Sequence, residues 1–454
     1  MRKYFGTDGI RRIANTELSP ELVYKVAKAG AYVLSKHTDH TPTILIGRDT
    51  RISGTLIESA MVAGFLSYGA NVKLLGVIPT PAVAYLTRKL NADASVVISA
   101  SHNTYEFNGI KYFSNKGMKI PDSLEEEIEE VMDSGKIDEL TAVNDKIGVS
   151  EIRTDLLEEY VYFFRKNFEE ELENLDKENF VIAVDTANGA TSVVAEKVFE
   201  KLGIKHHIIN NNPDGININD NCGSTHLEGL KKFVVENKCS LGVAYDGDGD
   251  RCLLVDENGN EIDGDKLLAI ISQSLRKKGK LNKDTIVATV MSNLGLNKYA
   301  RDNGLELLQT QVGDRYVLEE MLKDGFNLGG EQSGHVILLD YNPTGDGILT
   351  SLMLIKSILE EGKKASELGE TVKLYPQVLI NSKVNANKKY DYDKDKDIKN
   401  AIEKLEKEFA GNGRVLIRPS GTEPLVRVMI EGEDQEYITK KAKEIAKLIE
   451  EKLK

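Results

Sequence analysis

The chain has 454 residues, of which 41% are hydrophobic and 29% charged, with a formal net charge of −13. That length exceeds one ordinary core and predicts about three or four domains of a soluble globular protein. The acidic balance excludes general nucleic-acid binding, which needs a basic surface, though not a local basic pocket for a small anion.

Taken in order, the first segment alternates β-rich runs at Thr43–Ile46, Asn71–Leu75 and Ala94–Ile98 with helical stretches at Leu56–Leu66 and Ala82–Leu90. That rhythm predicts βαβ units on a largely parallel sheet. The acidic helix Leu124–Met132 closes the segment, and its charge run reads as a solvated face. The second segment opens with a helix carrying Leu156, Leu157, Tyr160, Val161 and Phe164, followed by strands at Phe180–Val184, Lys205–Ile209 and Ser240–Ala244. The third has strands at Thr285–Val290, Leu305–Leu308 and Phe326–Leu328, and a helix across Ile348–Leu359. The tail differs. It reads as a strand at Val378–Val384, a polar stretch Ala386–Asp397, a helix near Ile398–Phe409, strands at Arg414–Ile417 and Leu425–Ile430, and a last helix with Ile438, Ala442, Ile445 and Ile449 on one stripe. The expected fold is therefore α/β, with three similar α/β segments (1–153, 154–256 and 257–370) on mixed, largely parallel sheets, plus a C-terminal α+β domain (371–454). Cys222, Cys239 and Cys252 form no CxxC pair, which fits a reducing compartment. The N-terminal residues lack a signal peptide's apolar core, and no apolar run nears the roughly 20 residues that span a bilayer. A cytoplasmic location is expected.

In each of the three segments an apolar strand runs directly into a polar motif. Ala94–Ile98 leads to Ser99-Ala-Ser101-His102-Asn103. A strand ending this way presents its side chains at the carboxyl edge of a sheet, where ligands bind in open α/β folds. Ser101 is the candidate nucleophile, although a serine after a strand is commonly a capping turn and needs a partner to be activated. The second strand-to-loop junction places Asp246, Asp248 and Asp250 in alternation with glycine, ahead of Arg251. Three carboxylates on permissive backbone suit a hard divalent cation, where the bland alternative is a solvated acidic turn. An EF-hand is excluded, because its obligatory sixth-position glycine is Arg251 here and a strand precedes the loop. The third junction gives Glu331-Gln-Ser333-Gly-His335, with groups able to hold sugar hydroxyls or cap a helix. In the tail, Arg418-Pro-Ser420-Gly421-Thr422-Glu-Pro offers a forked guanidinium, hydroxyls and free backbone donors, with Arg427 on the following strand. This is phosphate-clamp chemistry, against the plainer reading of a Ser-Gly hairpin turn. Arg11 and Lys111 add cations to the first segment.

These four motifs, in this order, resemble the α-D-phosphohexomutase superfamily. The similarity runs nearly end to end and is strongest to its bacterial glucosamine-phosphate branch. It includes Phe5-Gly-Thr-Asp-Gly-Ile-Arg, Gly47-Arg-Asp-Thr-Arg-Ile-Ser-Gly, Pro213-Asp-Gly-Ile-Asn-Ile-Asn, Asn221-Cys-Gly-Ser-Thr-His, Val312-Gly-Asp-Arg-Tyr-Val-Leu-Glu and Thr344-Gly-Asp-Gly-Ile. The resemblance implies an isomerase that interconverts glucosamine 6-phosphate and glucosamine 1-phosphate, on the route to UDP-N-acetylglucosamine. Ser101 would be the phosphoserine, and Asp246, Asp248 and Asp250 would hold Mg²⁺ together with the phosphate on Ser101. Glu331, Ser333 and His335 would contact the sugar, while Arg418, Ser420, Gly421, Thr422 and Arg427 would bind the phosphate that is not transferred. Arg11, His102, Lys111 and Arg251 would complete the catalytic group, with Lys111 and His102 both open as the base. Glucosamine or glucose 1,6-bisphosphate would serve as activator. The implied partner is a phosphosugar, with no nucleic acid and no membrane, and homodimer formation is left open. Two departures are visible: Thr104 stands where many relatives have proline, which would leave the serine loop freer to move, and Arg12 stands where glycine is common.

The competing readings are a serine-dependent phosphatase, a phosphomannomutase or phosphoglucomutase of the same superfamily, and a non-enzymatic Mg²⁺- or Ca²⁺-binding scaffold. Release of inorganic phosphate, sugar preference and absence of turnover separate them.

Overall fold

The computed structural model describes residues 3–6, 8–420 and 423–454. The first sheet holds β1 (Ile10–Ile13), β2 (Thr43–Arg48), β3 (Asn71–Val77), β4 (Ala94–Ile98), β5 (Phe107–Ser114) and β6 (Ser150–Ile152), in the order β1-β5-β4-β2-β3-β6. The second holds β7 (Val181–Asp185), β8 (Lys205–Ile209), β9 (Leu241–Tyr245), β10 (Cys252–Asp256) and β11 (Glu261–Ile262), in the order β11-β10-β9-β7-β8. The third holds β12 (Thr285–Thr289), β13 (Glu306–Thr310), β14 (Leu328–Gly330) and β15 (Val336–Leu338), in the order β13-β12-β14-β15. In the last sheet, β16 (Gln377–Lys383), β17 (Gly413–Pro419) and β18 (Leu425–Gly432) pair antiparallel, with β18 central.

The three mixed sheets share one device. Parallel pairs make the centre (β2 with β3 and β4, β7 with β8 and β9, β12 with β13 and β14). Then β4, β9 and β14 each leave through a polar loop and return as an antiparallel neighbour, β5, β10 or β15. Every residue of β4, β9 and β14 is buried, so the strand can end only by turning its polar residues out at the edge. This is the α/β layout, with a C-terminal α+β part, that the sequence predicts.

Local signals account for the helices. Pro20–Ser35 starts on Ser19, whose hydroxyl accepts from Leu22 N–H, with proline at the first position. Gly347–Glu361 starts on the Asp346 carboxylate, which accepts from Leu349 N–H, and stops at Gly362 with φ +61°. The acidic helix, Asp122–Asp133, corrects one expectation. It is not a solvated face throughout, for Glu125 and Glu129 are buried. Glu129 accepts from the backbone N–H groups of Lys3, Tyr4 and Phe5, and Glu125 accepts from Arg315 at 3.1 Å.

By contacts the chain divides into one unit of residues 1–291 and 304–371, and a second of residues 292–303 and 372–454. The helix Leu294–Asp302 thus groups with the tail. Asn293 Nδ2 donates to the Tyr375 carbonyl, Leu294 N–H to Glu431, and Arg414 to the Ser292 carbonyl. Among the described residues no helix is long and apolar enough to cross a membrane, and all three cysteines are buried and unbridged.

Candidate active site

Ser101 sits just past β4 with φ +52°, a left-handed backbone rarely taken by a residue other than glycine. Its hydroxyl donates to Asp246 Oδ2 at 2.7 Å. Asp246, Asp248 and Asp250 follow β9 and are buried, with one oxygen from each lying within 4.8 Å of the others. Their surroundings are not equal. Asp246 Oδ1 accepts from Arg251 N–H at 3.1 Å. Asp248 Oδ2 accepts from Lys111 Nζ at 3.0 Å and from Thr80 Oγ1 at 2.8 Å. Asp248 Oδ1 and Asp250 Oδ1 are buried without a hydrogen-bond partner. Two orphaned carboxylate oxygens beside a third carboxylate are a costly arrangement unless a cation completes it. The donor set is all oxygen and fits a hard divalent metal. Burial and the two neighbouring aspartates drive the Asp246 carboxyl well above its usual range. Asp250 goes the other way, because Lys111, His335 and Arg251 outweigh its burial.

Lys111, on β5, is buried among three carboxylates: Asp248 at 3.0 Å, Asp8 at 3.1 Å and Asp250 at 3.7 Å. Burial opposes its charge, yet these neighbours hold its pKa well above the ordinary lysine value. His102 Nδ1 lies 3.4 Å from Ser101 Oγ and accepts from Arg251 Nη1 at 3.0 Å. Burial, with Arg251 and Arg11 nearby, takes the imidazole down to about 4, so it is neutral at pH 7. Arg11 donates to Asn103 Oδ1 at 3.0 Å and to Asp8 Oδ2 at 2.9 Å. Arg12 is spent elsewhere, on the Lys3 carbonyl. The Thr104 carbonyl is held by the Arg51 guanidinium, so the loop is tied at the position where proline is missing.

The third polar loop reaches the same place. Gly334 has φ +89°, and a Cβ there would stand 2.2 Å from the Cys252 carbonyl oxygen, so only glycine lets this loop lie against the start of β10. His335 Nε2 accepts from Gly345 N–H at 3.0 Å, which leaves Nδ1 as the protonated nitrogen, 3.6 Å from Asp250 Oδ2. Glu331 Oε1 accepts from Gly313 N–H at 3.2 Å, and burial together with Asp314 raises its carboxyl. Ser333 Oγ is buried without a partner. The structure thus brings Ser101, His102, Lys111, Arg11, the three aspartates, Arg251, Glu331, Ser333 and His335 into one region of the first unit.

Three further side chains belong here that motif reading passed over. Asp8 bridges Arg11, Lys111 and Lys119; Lys119 Nζ also donates to Asp314 Oδ2 at 2.6 Å; and Asp314 lies 3.3 Å from His335 Nε2. Each stands in or beside a glycine-bearing motif (Phe5-Gly-Thr-Asp8, Gly117-Met-Lys119, Val312-Gly-Asp314), the local signal that could have drawn attention to them.

In the second unit, Arg418 on β17 and Arg427 on β18 are direct cross-strand partners. Ser420 N–H donates to the Leu425 carbonyl at 2.8 Å, its hydroxyl accepts from Glu423 N–H at 3.2 Å, and its carbonyl accepts from Lys389 Nζ at 2.7 Å. Gly421 and Thr422, also expected in the phosphate clamp, lie outside the described residues.

Four family models match along the chain. They are phosphoglucomutase/phosphomannomutase α/β/α domain I at residues 2–138, domain II at 158–259, domain III at 263–375 and the C-terminal domain at 379–448. The chain belongs to the phosphoglucomutase/phosphomannomutase family. It is 53% identical over 453 residues to a phosphoglucosamine mutase of Ruminiclostridium cellulolyticum, and 54% identical over 455 residues to one of Acetivibrio thermocellus, with 100% of each chain covered in both cases. Among solved structures it shares its fold with a family protein from Burkholderia thailandensis (TM-score 0.78, 21% identity, 98% of each chain covered). The Aspergillus fumigatus N-acetylphosphoglucosamine mutase, solved in complex with GlcNAc-6P and magnesium, has the same fold (TM-score 0.71, 16% identity, 99% of this chain and 96% of that one covered).

Proposed function

We propose that this family member is a phosphoglucosamine mutase. The reaction would interconvert glucosamine 6-phosphate and glucosamine 1-phosphate through a phosphoserine enzyme and a bound 1,6-bisphosphate. The observation that carries the reading is the Ser101 hydroxyl, 2.7 Å from a buried aspartate cluster in which two carboxylate oxygens accept no hydrogen bond. The phosphoglucosamine mutases of more than half identity support the choice of sugar.

In this reading Asp246, Asp248 and Asp250, with the phosphate on Ser101, would hold one Mg²⁺, which would supply positive charge against the phosphoryl oxygens. The substrate hydroxyl attacks the phosphorus of phosphorylated Ser101, the bond to Oγ breaks, the hydroxyl proton passes to a base, and Oγ takes up a proton in its place to restore the serine hydroxyl. His102, neutral at pH 7, and Lys111, which its carboxylate neighbours hold protonated and which must first give up that proton, are the two candidates for that base. Arg251 and Arg11 face the same oxygens as cations. Glu331, Ser333 and His335 hold the sugar hydroxyls, and Arg418, Ser420, Gly421, Thr422 and Arg427 grip the other phosphate. The bisphosphate then turns over and returns its second phosphate to Ser101, so added glucosamine or glucose 1,6-bisphosphate acts as activator. The four-part division at 153, 256 and 370 assigns one motif to each part.

Turnover of glucosamine, glucose and mannose 6-phosphates, compared side by side with assay of inorganic phosphate, tests the reading. Preference for glucosamine 6-phosphate with little phosphate release is expected. Preference for another sugar would shift the assignment within the family, and stoichiometric phosphate release would make the protein a phosphatase.

A further inference from the structure

The motif Gly47-Arg-Asp-Thr-Arg-Ile-Ser-Gly, which begins at the end of β2, has no part in the mechanism above. Yet its Arg51 is 1% exposed, and a guanidinium is tolerated at that depth only where its donors find acceptors. Nε donates to Asp49 Oδ2 at 2.8 Å, which supplies the counter-charge. The other two nitrogens reach about fifty residues along the chain to the loop that carries Ser101. Nη2 donates to the carbonyls of Ser101 at 3.0 Å and Asn103 at 2.8 Å, and Nη1 to those of Phe107 at 3.0 Å and Thr104. The Ser101 and Asn103 carbonyls take a second donor as well, Asn219 Nδ2, at 2.9 and 2.8 Å. Beneath them Ser99 Oγ donates to Asp49 Oδ2 at 2.6 Å and accepts from Ser101 N–H at 2.9 Å.

The geometry points to Arg51 and Asn219 as positioning residues that hold the Ser101 peptide in register with the aspartate loop for phosphoryl transfer. A serine at φ +52° is strained and persists only where its surroundings over-determine it. The serine's own hydroxyl cannot do so, because it is committed to Asp246. The restraint comes through the carbonyl. Arg51 grips it from the motif at the end of β2, and Asn219 grips it from the second segment. Asn219 also lies directly against the aspartate loop, where a Cβ on Gly247 would stand 2.8 Å from Asn219 Nδ2 and 2.6 Å from the Ser101 carbonyl oxygen. Asn219 therefore fixes the spacing between nucleophile and carboxylates, and Arg51 fixes the loop's orientation. Neither side chain hydrogen-bonds the Ser101 hydroxyl or the three carboxylates.

The inference rests on Ser101 being the phosphoryl carrier, and the experiment separates the two. Wild type, Asn219→Ala and Arg51→Lys are assayed for kcat and KM with glucosamine 6-phosphate, for Mg²⁺ activation, and by rapid-quench intact mass for phosphate transfer from glucose 1,6-bisphosphate to Ser101. Misplacement by a fraction of an ångström should lower kcat and the transfer rate by about ten- to a hundredfold in both variants. KM and the Mg²⁺ midpoint should stay within about twofold, since neither residue binds substrate or metal. Arg51→Lys should lie at the severe end, because one ammonium cannot serve four carbonyls; if it fails to fold, Asn219→Ala decides alone. A folded Asn219→Ala that phosphorylates Ser101 at the wild-type rate overturns the positioning role. So does a fall in kcat that comes with a raised KM and a lowered melting temperature. If wild type itself carries no phosphate on Ser101, it is the functional reading that fails.

Discussion

Around Ser101 charges of opposite sign are interleaved, with buried Lys111 among Asp8, Asp248 and Asp250, and half-buried Lys119 between Asp8 and Asp314. On β17 and β18 two like charges, Arg418 and Arg427, stand directly opposite one another and are only half buried. Like charges across an antiparallel pair destabilise the sheet. The first region has settled most of its electrostatics within the protein, and what remains open is the pair of aspartate oxygens suited to a cation. The second sets two guanidinium groups side by side on one sheet face, with the Glu423 carboxylate 3.9 Å from Arg427, and under the proposed function it is the part that grips the second phosphate. Losses in the first should therefore appear in the chemical step, and losses in the second in binding.

The largest effect tests the first half of that contrast. Ser101→Ala should fold, carry no phosphate by intact mass, and lose mutase activity by at least about a thousandfold. Full phosphorylation of the variant would move the nucleophile elsewhere. Asp248→Asn comes next. It removes one carboxylate from the cation site and one partner from Lys111, so the Mg²⁺ activation midpoint should rise by roughly tenfold or more, with partial recovery at high magnesium by mass action. Chelator-treated wild type that kept full activity would show the aspartates to be structural.

That contrast was only half legible in the sequence. Ala94–Ile98 was readable to the residue, because a short β-branched run bounded by polar residues has few other readings, and Lys205–Ile209 was placed by the strand rhythm around it. The polar loops after β4, β9 and β14 were legible for the same reason. What local pattern could not show was which distant charge returns to meet which. Arg51 meets carbonyls some fifty residues away, Lys119 meets Asp314 across 195 residues, and Glu125 meets Arg315 across 190. On its own helix Glu125 is one more acidic residue, and only its partner makes it a buried one. The facing of Arg418 by Arg427 needed the strand register, which composition does not contain.

The binding half of the comparison predicts a smaller effect. Arg418→Ala should raise KM about ten- to a hundredfold, the 1.5–3 kcal/mol typical of a lost charged contact. Progress curves should also slow as the bisphosphate escapes and Ser101 stays dephosphorylated, and added glucosamine 1,6-bisphosphate should restore them. Arg418→Lys should recover only part. Linear curves with a raised KM would reduce Arg418 to a binding residue without a role in retaining the intermediate.

Asp346 gives the finest test, because it is a buried carboxylate with no cation beside it. It accepts from Tyr160 Oη at 2.8 Å, Asn342 Nδ2 at 3.3 Å and Leu349 N–H at 3.0 Å. Asp250, among Lys111, His335 and Arg251, is pulled low, whereas burial pushes the Asp346 carboxyl up to about 6. A carboxyl raised in the folded state keeps its proton there after the unfolded chain has lost it. Its contribution to stability is therefore present at low pH and is lost as pH rises through about 6. Between pH 5 and pH 7 the loss should come to about 1 kcal/mol. Asp346→Asn cannot titrate, so denaturant unfolding of the two proteins at both pH values isolates this carboxyl from every other group. The stability of wild type relative to the variant should fall by that amount from pH 5 to pH 7. A relative stability that rose with pH would mean that Asp346 is held ionised by a charge, and the contrast between cation-compensated and hydrogen-bonded carboxylates would have to be redrawn.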